Sequence, residues 1–344
     1  MKQGTRTADF EKAKRSKKDE FYTTLKDIQA ELKHYTRHFT GKVVYLNCDD
    51  PRYSNFFRYF VEEFHRLGLK AVIASGFEGV EQGLPGEAVS RGVWAEYKGE
   101  VQDPLSKLPG KAKLRIMSGT GDFRGEESLK LLDRADIVVT NPPFSQFRDY
   151  FSQLIHAHKD FVILANMNAV TYVEVFPHFQ NGSVWYGPSI HSGDREFLVP
   201  QDYPLEANNC RVDESGNRYI RVKGVRWFTN LPADTKAPEM TFVCDYLDGN
   251  YPSYVNYPAI EVGKTALIPK DYFGEMGVPI SFMDYYNQEE FEIIGSSNTL
   301  ALPMKDFAEP GTFRSGGPRF YLSREDGSYR RMYERIVIRR RKTS

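Results

Sequence analysis

The stretch "ADIVVTNPPFSQF", residues 135–147, decides how this chain is read. Ile137, Val138, Val139 and Thr140 make a short β-prone run of the kind that forms a buried strand. The run stops at Asn141-Pro142-Pro143-Phe144. The two prolines fix their φ angles and carry no N–H, so the loop is stiff and its carbonyls stay able to accept. Asn and Pro are also ordinary strand terminators, and a plain turn is the competing reading.

Outward from this stretch, strands and helices alternate. Strands are expected over 42–47, 70–75, 113–119 and from 160, and helices over 54–68 and 126–135, with a third over 147–158. A helix over 26–39 follows from Ile28, Leu32, Tyr35 and Phe39 on one face, and Gly68 closes the helix that begins at Ser54. Residues 76–113 are broken by Gly and Pro and give no clear element. The alternation predicts an α/β fold, a mostly parallel sheet with helices on both faces. Ligands of such sheets sit beyond the carboxyl ends of the strands. Asn47–Pro51, Gly121-Asp122, Asn141–Phe144 and Asn166 all fall there.

After residue 180 the texture changes. Strands are expected over 183–188 and 225–231, with a hairpin turning at Gly216 between them. Beyond about 235 the chain is rich in Tyr, Pro and Gly, and 301–320 reads as loop. The expected organisation is a basic arm over 1–18, a catalytic domain over 19–235 and a target-recognition region over 236–344 with a basic tail. Residues 330–342 mix β-branched residues with arginines and read as a last strand running into a phosphate-binding tail, or as a plain surface strand with a solvated charged end.

The chain has 344 residues, 40% hydrophobic and 27% charged, which is globular composition. No apolar run reaches membrane-spanning length, and the first 21 residues lack the apolar stretch of a secretion signal. Cys48, Cys210 and Cys244 are widely separated, without metal-ligand spacing, and an odd count suits a reducing compartment. The expectation is a cytoplasmic protein with no membrane association and no metal. The net charge is zero, but residues 1–18 carry seven basic and two acidic side chains, and residues 330–344 carry seven and one. Between them lie 32 basic and 43 acidic residues, a net of −11. Basic ends on an acidic body suit a phosphate backbone; solubilising tails are the alternative.

Asn-Pro-Pro-Phe suits a definite chemistry. The Asn141 amide oxygen and the Pro142 carbonyl can accept both hydrogens of an exocyclic –NH2, pulling the amine toward tetrahedral geometry and localising its lone pair. Phe144 offers a flat apolar face to the ring that bears it. What remains is an electrophile held in line, and orientation can lower the barrier by roughly 7–11 kcal/mol at best. A methyl sulfonium cofactor is the natural electrophile.

The chain closely resembles the EcoRI-type DNA adenine-N6 methyltransferase family, which uses S-adenosylmethionine. The resemblance is carried by "SKKDEFYT" (16–23), "VVYLNCDDPRYSNFFRYF" (43–60), "GDFR" (121–124), "DIVVTNPPFSQFRDY" (136–150), "WFTN" (227–230) and "MGVPISF" (276–282). It implies a Rossmann-like methyltransferase fold with a C-terminal antiparallel hairpin, and a smaller mixed DNA-recognition region. It implies that Phe21, Tyr22 and Thr23 line the methionine end of the cofactor. Asn47, Asp49, Asp50 and Pro51 form the first strand-end turn, where a carboxylate holds the α-ammonium. Gly121 and Asp122 reach the cofactor adenine, and Phe123 packs on its ring. Asn141, Pro142, Pro143 and Phe144 are implied as the catalytic set. The glycine-rich turn usual in methyltransferases is replaced here by "NCDDPRYSNF", and the second strand ends in Ser75-Gly76 without the usual acid. The implied partner is double-stranded DNA, with the target adenine rotated out of the stack. A role beside a cognate restriction endonuclease follows from the resemblance. An RNA adenine methyltransferase, a protein-glutamine methyltransferase and an inactive DNA-binding homologue are the competing readings. Lys14, Arg15, Lys17, Lys18, Arg339, Arg340 and Arg341 are candidates for phosphate contact, and Arg314, Arg319, Arg324, Asn256 and Asn298 for groove contact.

Overall fold

The computed structural model describes residues 22–78, 91–100, 112–191, 194–199, 210–234, 240–247 and 249–342. The basic arm, and Lys14, Arg15, Lys17, Lys18 and Phe21 with it, lie outside the described residues. The chain divides into two compact units, Met1–Asn166 with Tyr186–Thr235, and Met167–Trp185 with Lys236–Ser344.

In the first unit the order is α1 (Leu25–Leu32), β1 (Val43–Leu46), α2 (Asn55–Glu62), α3 (Phe64–Leu67), β2 (Ala71–Glu78), β3 (Arg91–Tyr97) and β4 (Arg115–Ile116). Then come α4 (Glu126–Arg134), β5 (Ile137–Thr140), α5 (Phe147–His156), β6 (Asp160–Asn166), β7 (Trp185–Tyr186), β8 (Asp194–Val199), β9 (Cys210–Val212), β10 (Arg218–Lys223) and β11 (Val225–Thr229). The main sheet has eight strands in the order β4-β3-β2-β1-β5-β6-β11-β7. Its centre is parallel: β2, β1, β5 and β6 run together. All four residues of β1 and of β5 are buried, as a strand covered on both faces requires. Ile28, Leu32, Tyr35 and Phe39 join Phe56 and Phe60 against Val44, Leu46 and Trp227 in one core. In α5, Phe151 lies edge-on to Phe161 at 5.8 Å and Phe147 to Phe228 at 5.4 Å.

The helix expected over 26–39 is α-helical only to Leu32 and continues as a 3-10 turn over Lys33–His38. α2 begins at Ser54, whose hydroxyl accepts from Phe57 N–H at 3.2 Å. α3 ends at Gly68, in the left-handed region at φ 63°, which glycine adopts without steric cost. The sheet departs from expectation at its edges. β3 was not anticipated; it runs antiparallel to β2, pairing Val72 with Tyr97. The strand expected over 113–119 contracts to two residues at the sheet edge, and that over 183–188 to Trp185–Tyr186. β11 returns antiparallel to β6, as the C-terminal hairpin requires. β8, β10 and β9 form a separate antiparallel sheet, with Gly216 in the turn between β9 and β10.

The second unit contains α6 (Phe176–Gln180), β12 (Ile260–Glu261), β13 (Glu275–Pro279), β14 (Phe291–Ser296), α7 (Ser297–Leu300), β15 (Tyr321–Ser323), β16 (Tyr329–Arg331) and β17 (Arg335–Arg340). Residues 167–185, which sequence reading placed in the catalytic domain, group with this unit. The four-stranded sheet has the order β12-β13-β17-β14, so β17 is interior, antiparallel to β13 and β14. Its Ile336, Val337 and Ile338 are fully buried. β15 and β16 form a hairpin. Among the described residues no helix is long and apolar enough to cross a membrane.

Candidate active site

The strand ends of the first unit converge on the turn after β1. Asn47 is buried; its Oδ1 accepts from the Tyr150 hydroxyl of α5. Asp49 donates its N–H to Ser75 O at 2.9 Å, joining the ends of β1 and β2. Its carboxylate accepts from the hydroxyl of Thr140, the last residue of β5, and from Ser54 Oγ at 2.8 Å. One buried carboxylate therefore ties together β1, β5 and the start of α2. Asp50 is held differently. Its oxygens accept from Arg52 Nε at 3.0 and 3.1 Å and from Arg52 Nη2 at 2.6 Å.

Three glycines complete the floor. A Cβ on Gly76 would lie 2.7 Å from Asp50 N, and one on Gly92 would lie 2.4 Å from Gly121 Cα. Gly121 has φ 81°, and its Cβ would meet Gly76 O at 2.5 Å. The backbones of β2, β3 and the segment before α4 thus touch where only glycine fits. Next to Gly121, Asp122 accepts three hydrogen bonds from Arg124: from its N–H and Nε, each at 2.9 Å, and from Nη2 at 2.7 Å. The Arg124 guanidinium lies 5.0 Å from the ring centre of Phe123, which is buried edge-on to Tyr150 at 5.1 Å.

Tyr22 pairs with Leu198 of β8. Thr23 is buried, and its carbonyl accepts from Asn55 Nδ2, at the first residue of α2, at 2.9 Å. Asn141 and Pro143 are half-buried, Pro142 is buried, and Phe144 packs against the main core. Pro143 O accepts from Gln146 N–H at 3.0 Å, closing a one-turn bridge into α5. No donor among the described residues reaches the Pro142 carbonyl.

Thr23 Oγ1 and Asn47 Nδ2 are buried here without a hydrogen-bond partner among the described residues. Leaving such atoms unmet costs about 1–3 kcal/mol each, so a ligand with polar groups is the expected complement. They flank the β1 turn and the glycine floor, and together these fit a compact zwitterionic cofactor. Sequence reading named Thr23, Asn47, Asp49, Asp50, Gly121 and Asn141, and the structure connects their surroundings. It passed over Ser54, Thr140, Gly92 and Tyr150, whose parts appear only through contacts distant in sequence. Asn166 ends β6, and its Nδ2 donates to Lys223 O at 3.2 Å.

Burial pushes the Asp49 carboxyl up to about 6, against the lowering by its two hydroxyl donors. An acid raised in the folded state is stabilised by its proton. That contribution is fully present below about pH 4 and is lost as pH rises toward 6. It amounts to roughly 3 kcal/mol. Asp49→Asn keeps the shape, loses one acceptor and abolishes the titration. The stability difference, variant minus wild type, is expected to move in the variant's favour by that order between pH 4 and pH 7 in urea unfolding. A difference independent of pH would refute the burial of a charge there.

Of the arginines proposed for phosphate contact, Arg339, Arg340 and Arg341 make contacts within the protein, and Arg15 lies outside the described residues. Arg340 pairs with Glu290 and lies 4.2 Å from the ring centre of Phe242 and 4.7 Å from that of Phe291. Arg339 pairs with Glu275 and Glu292, and Arg341 Nε donates to Gln288 O at 2.9 Å. The basic run at 335–340 is an interior strand of a sheet, with acids placed opposite it, rather than a surface strand with a solvated charged end. Among the groove candidates, Asn256 is fully buried and Arg319 pairs with Glu334 at 2.8 Å and with Asn298. Arg314 and Arg324 are exposed.

Comparison with known proteins agrees with this architecture. Residues 9–341 match the family described as adenine-specific methyltransferase EcoRI. The chain is 45% identical over 291 residues to the type II methyltransferase M.EcoRI of Escherichia coli, covering 82% of this chain and 87% of that one. It is 34% identical to the type II methyltransferase M.MpnI of Mycoplasma pneumoniae, covering 96% and 98%. A relative in Mycoplasma genitalium, the type II methyltransferase M.MgeORF184P, is 31% identical with the same coverage. No solved structure matches. A family match running almost end to end, on a sheet whose strand ends meet at Asn47, Gly121 and Thr140, identifies the chain as a member of the EcoRI adenine-specific methyltransferase family.

Proposed function

We propose that this chain methylates N6 of an adenine swung out of double-stranded DNA, within a short recognition sequence, in the cytoplasm. The observation that carries the reading is Asn141-Pro142-Pro143-Phe144 following a central parallel strand whose last residue, Thr140, is bonded to Asp49 of the β1 turn. S-adenosylmethionine supplies an electrophilic methyl group when bound. Thr23 and Asn47 offer it two unmet polar atoms, Pro51 belongs to the same turn, Gly121, Asp122 and Phe123 lie at the glycine floor, and Phe21 and Tyr22 precede Thr23 in sequence. Asp49, already holding two hydroxyls, sets the shape of the turn. Asp50 is the carboxylate nearer the surface and takes the α-ammonium.

Asn141 Oδ1 and the Pro142 carbonyl accept the two hydrogens of the target amine and turn its lone pair outward. Pro143 keeps the loop from yielding, and Phe144 stacks on the base. None of these groups titrates near neutrality, so the loop orients the amine and leaves the released proton to water. Flipping the base costs a few kcal/mol, recovered through contacts elsewhere on the duplex. Such modification protects DNA from a restriction endonuclease of matching sequence.

The test is base-resolution mapping of methylated adenine in DNA from cells expressing the chain. One short motif modified throughout is the expected result. DNA without N6-methyladenine would overturn the reading.

A further inference from the structure

The strongest unused feature is the loop over 302–319 in the second unit. Its regular structure is a 3-10 turn at Met304–Asp306 and an isolated bridge from Phe313 to Tyr329, and its ends are closed by one residue. Asn256, fully buried, donates from Nδ2 to Leu302 O at 2.7 Å and to Arg319 O at 2.9 Å. Its Oδ1 accepts from Tyr321 N–H at 3.0 Å, and its carbonyl from Leu302 N–H at 3.2 Å. The loop is thus pinned at its ends as a compact surface element, of a kind that often carries function. It is also braced inside: Tyr321 donates to Arg314 O at 2.7 Å, and Arg331 Nη2 to Gly317 O at 2.9 Å.

A cleft of about 350 Å³ opens against it, with Met304, Lys305, Phe313, Ser315 and Tyr321 among its lining residues. No acidic side chain lines it. The charges around the loop are unlike those of the neighbouring sheet, where Arg319, Arg335, Arg339 and Arg340 each face a carboxylate. Lys305 and Arg314 are exposed and have no ion-pair partner among the described residues. The Arg331 guanidinium has carbonyl contact only, and its Nε is buried without a partner. A Cβ on Gly316 would lie 3.0 Å from Arg331 Nη2, so a small residue lets the loop lie over this cation. The loop's own acids, Asp306 and Glu309, form no ion pair with these cations. Three cations without an ion-pair partner among the described residues, on or against a loop that carries Ser315 and glycines, are the groups that hold phosphodiesters.

We infer that Lys305, Arg314 and Arg331, set around the loop pinned by Asn256, form a phosphodiester-binding surface through which the second unit grips duplex DNA. The inference rests on the DNA reading above and adds the place of the grip. Contacts to phosphate carry no sequence information, so this surface contributes affinity and orientation alike on all duplexes.

The test uses the full chain and the double variant Lys305→Gln/Arg314→Gln, whose exposed side chains make no ion pairs among the described residues. Binding to a random-sequence duplex and to one carrying the methylated motif is measured across a sodium chloride series. Each phosphate contact contributes about 0.9 to the slope of log affinity against log salt. The variant is expected to lose about 1.8 of slope on both duplexes, with an unaltered circular dichroism spectrum. An unchanged slope would overturn the inference, as would a loss confined to the motif duplex, which marks base contact. A wild-type chain that binds no duplex would instead overturn the DNA reading, and this inference with it.

Discussion

Asn141→Ala is expected to lower the methyl-transfer rate by roughly a hundred- to thousand-fold, the scale of losing one preorganised hydrogen-bonding group at a reacting centre. The amide is the only side chain of the four-residue loop able to accept a hydrogen bond. Its removal leaves the Pro142 carbonyl to hold one amine hydrogen while the lone pair stays delocalised into the ring. Cofactor affinity should be largely preserved, since the β1 turn keeps its ties through Asp49 to Thr140 and Ser54. Single-turnover transfer of labelled methyl groups, beside a cofactor-binding titration, separates the two quantities. A variant that transfers at the wild-type rate would remove the loop from the mechanism. One that fails to bind cofactor would place Asn141 in the cofactor site instead.

The largest expected stability effect lies in the second unit. Arg335 begins the interior strand β17 and is buried. Its Nε reaches both oxygens of Glu261, at 3.1 and 2.9 Å, and its Nη2 reaches Oε1 at 2.7 Å. The Tyr254 hydroxyl bonds the same carboxylate. Arg335→Met removes the cation and strands Glu261, at a cost of about 3–5 kcal/mol. Pairing it with Glu261→Gln should recover much of the loss, because the stranded charge, more than the lost attraction, is what destabilises. Urea unfolding of the two single variants and the double variant forms the cycle. A single-variant effect below about 1 kcal/mol would mean that water reaches the pair.

These two residues differ in how far they can be read from sequence. Asn141 sits in a contiguous motif after a buried apolar run, and its place follows from local chemistry. Arg335 lies in "RRMYERIVIRRR", where sequence suggests a last strand running into a charged tail, or a plain surface strand, but not which residues are interior. Only the pairing with β13 and β14 shows it inside a sheet, with Glu261 met across 74 positions of chain. The same contrast holds in the first unit. β1, β5 and the helices around them are legible because buried parallel strands read as apolar runs. β3 is not, since "RGVWAEY" has neither strict alternation nor a continuous apolar run, and its place depends on pairing with β2. At the site, Asp49 and Asp50 are adjacent and chemically identical in sequence. Tertiary contacts alone assign one to Thr140 and Ser54 and the other to Arg52.

The closure of the 302–319 loop by Asn256 bears on how such a protein changes over time. Because the clasp belongs to a residue outside the loop, and bonds backbone atoms at Leu302, Arg319 and Tyr321, the residues between are not needed to keep it shut. Closure entropy grows slowly with length, about 0.6 kcal/mol for each doubling. Insertions and substitutions between the clasped ends, away from the bracing at Phe313, Arg314 and Gly317, are therefore inexpensive, and that part of the loop can be exchanged as a cassette.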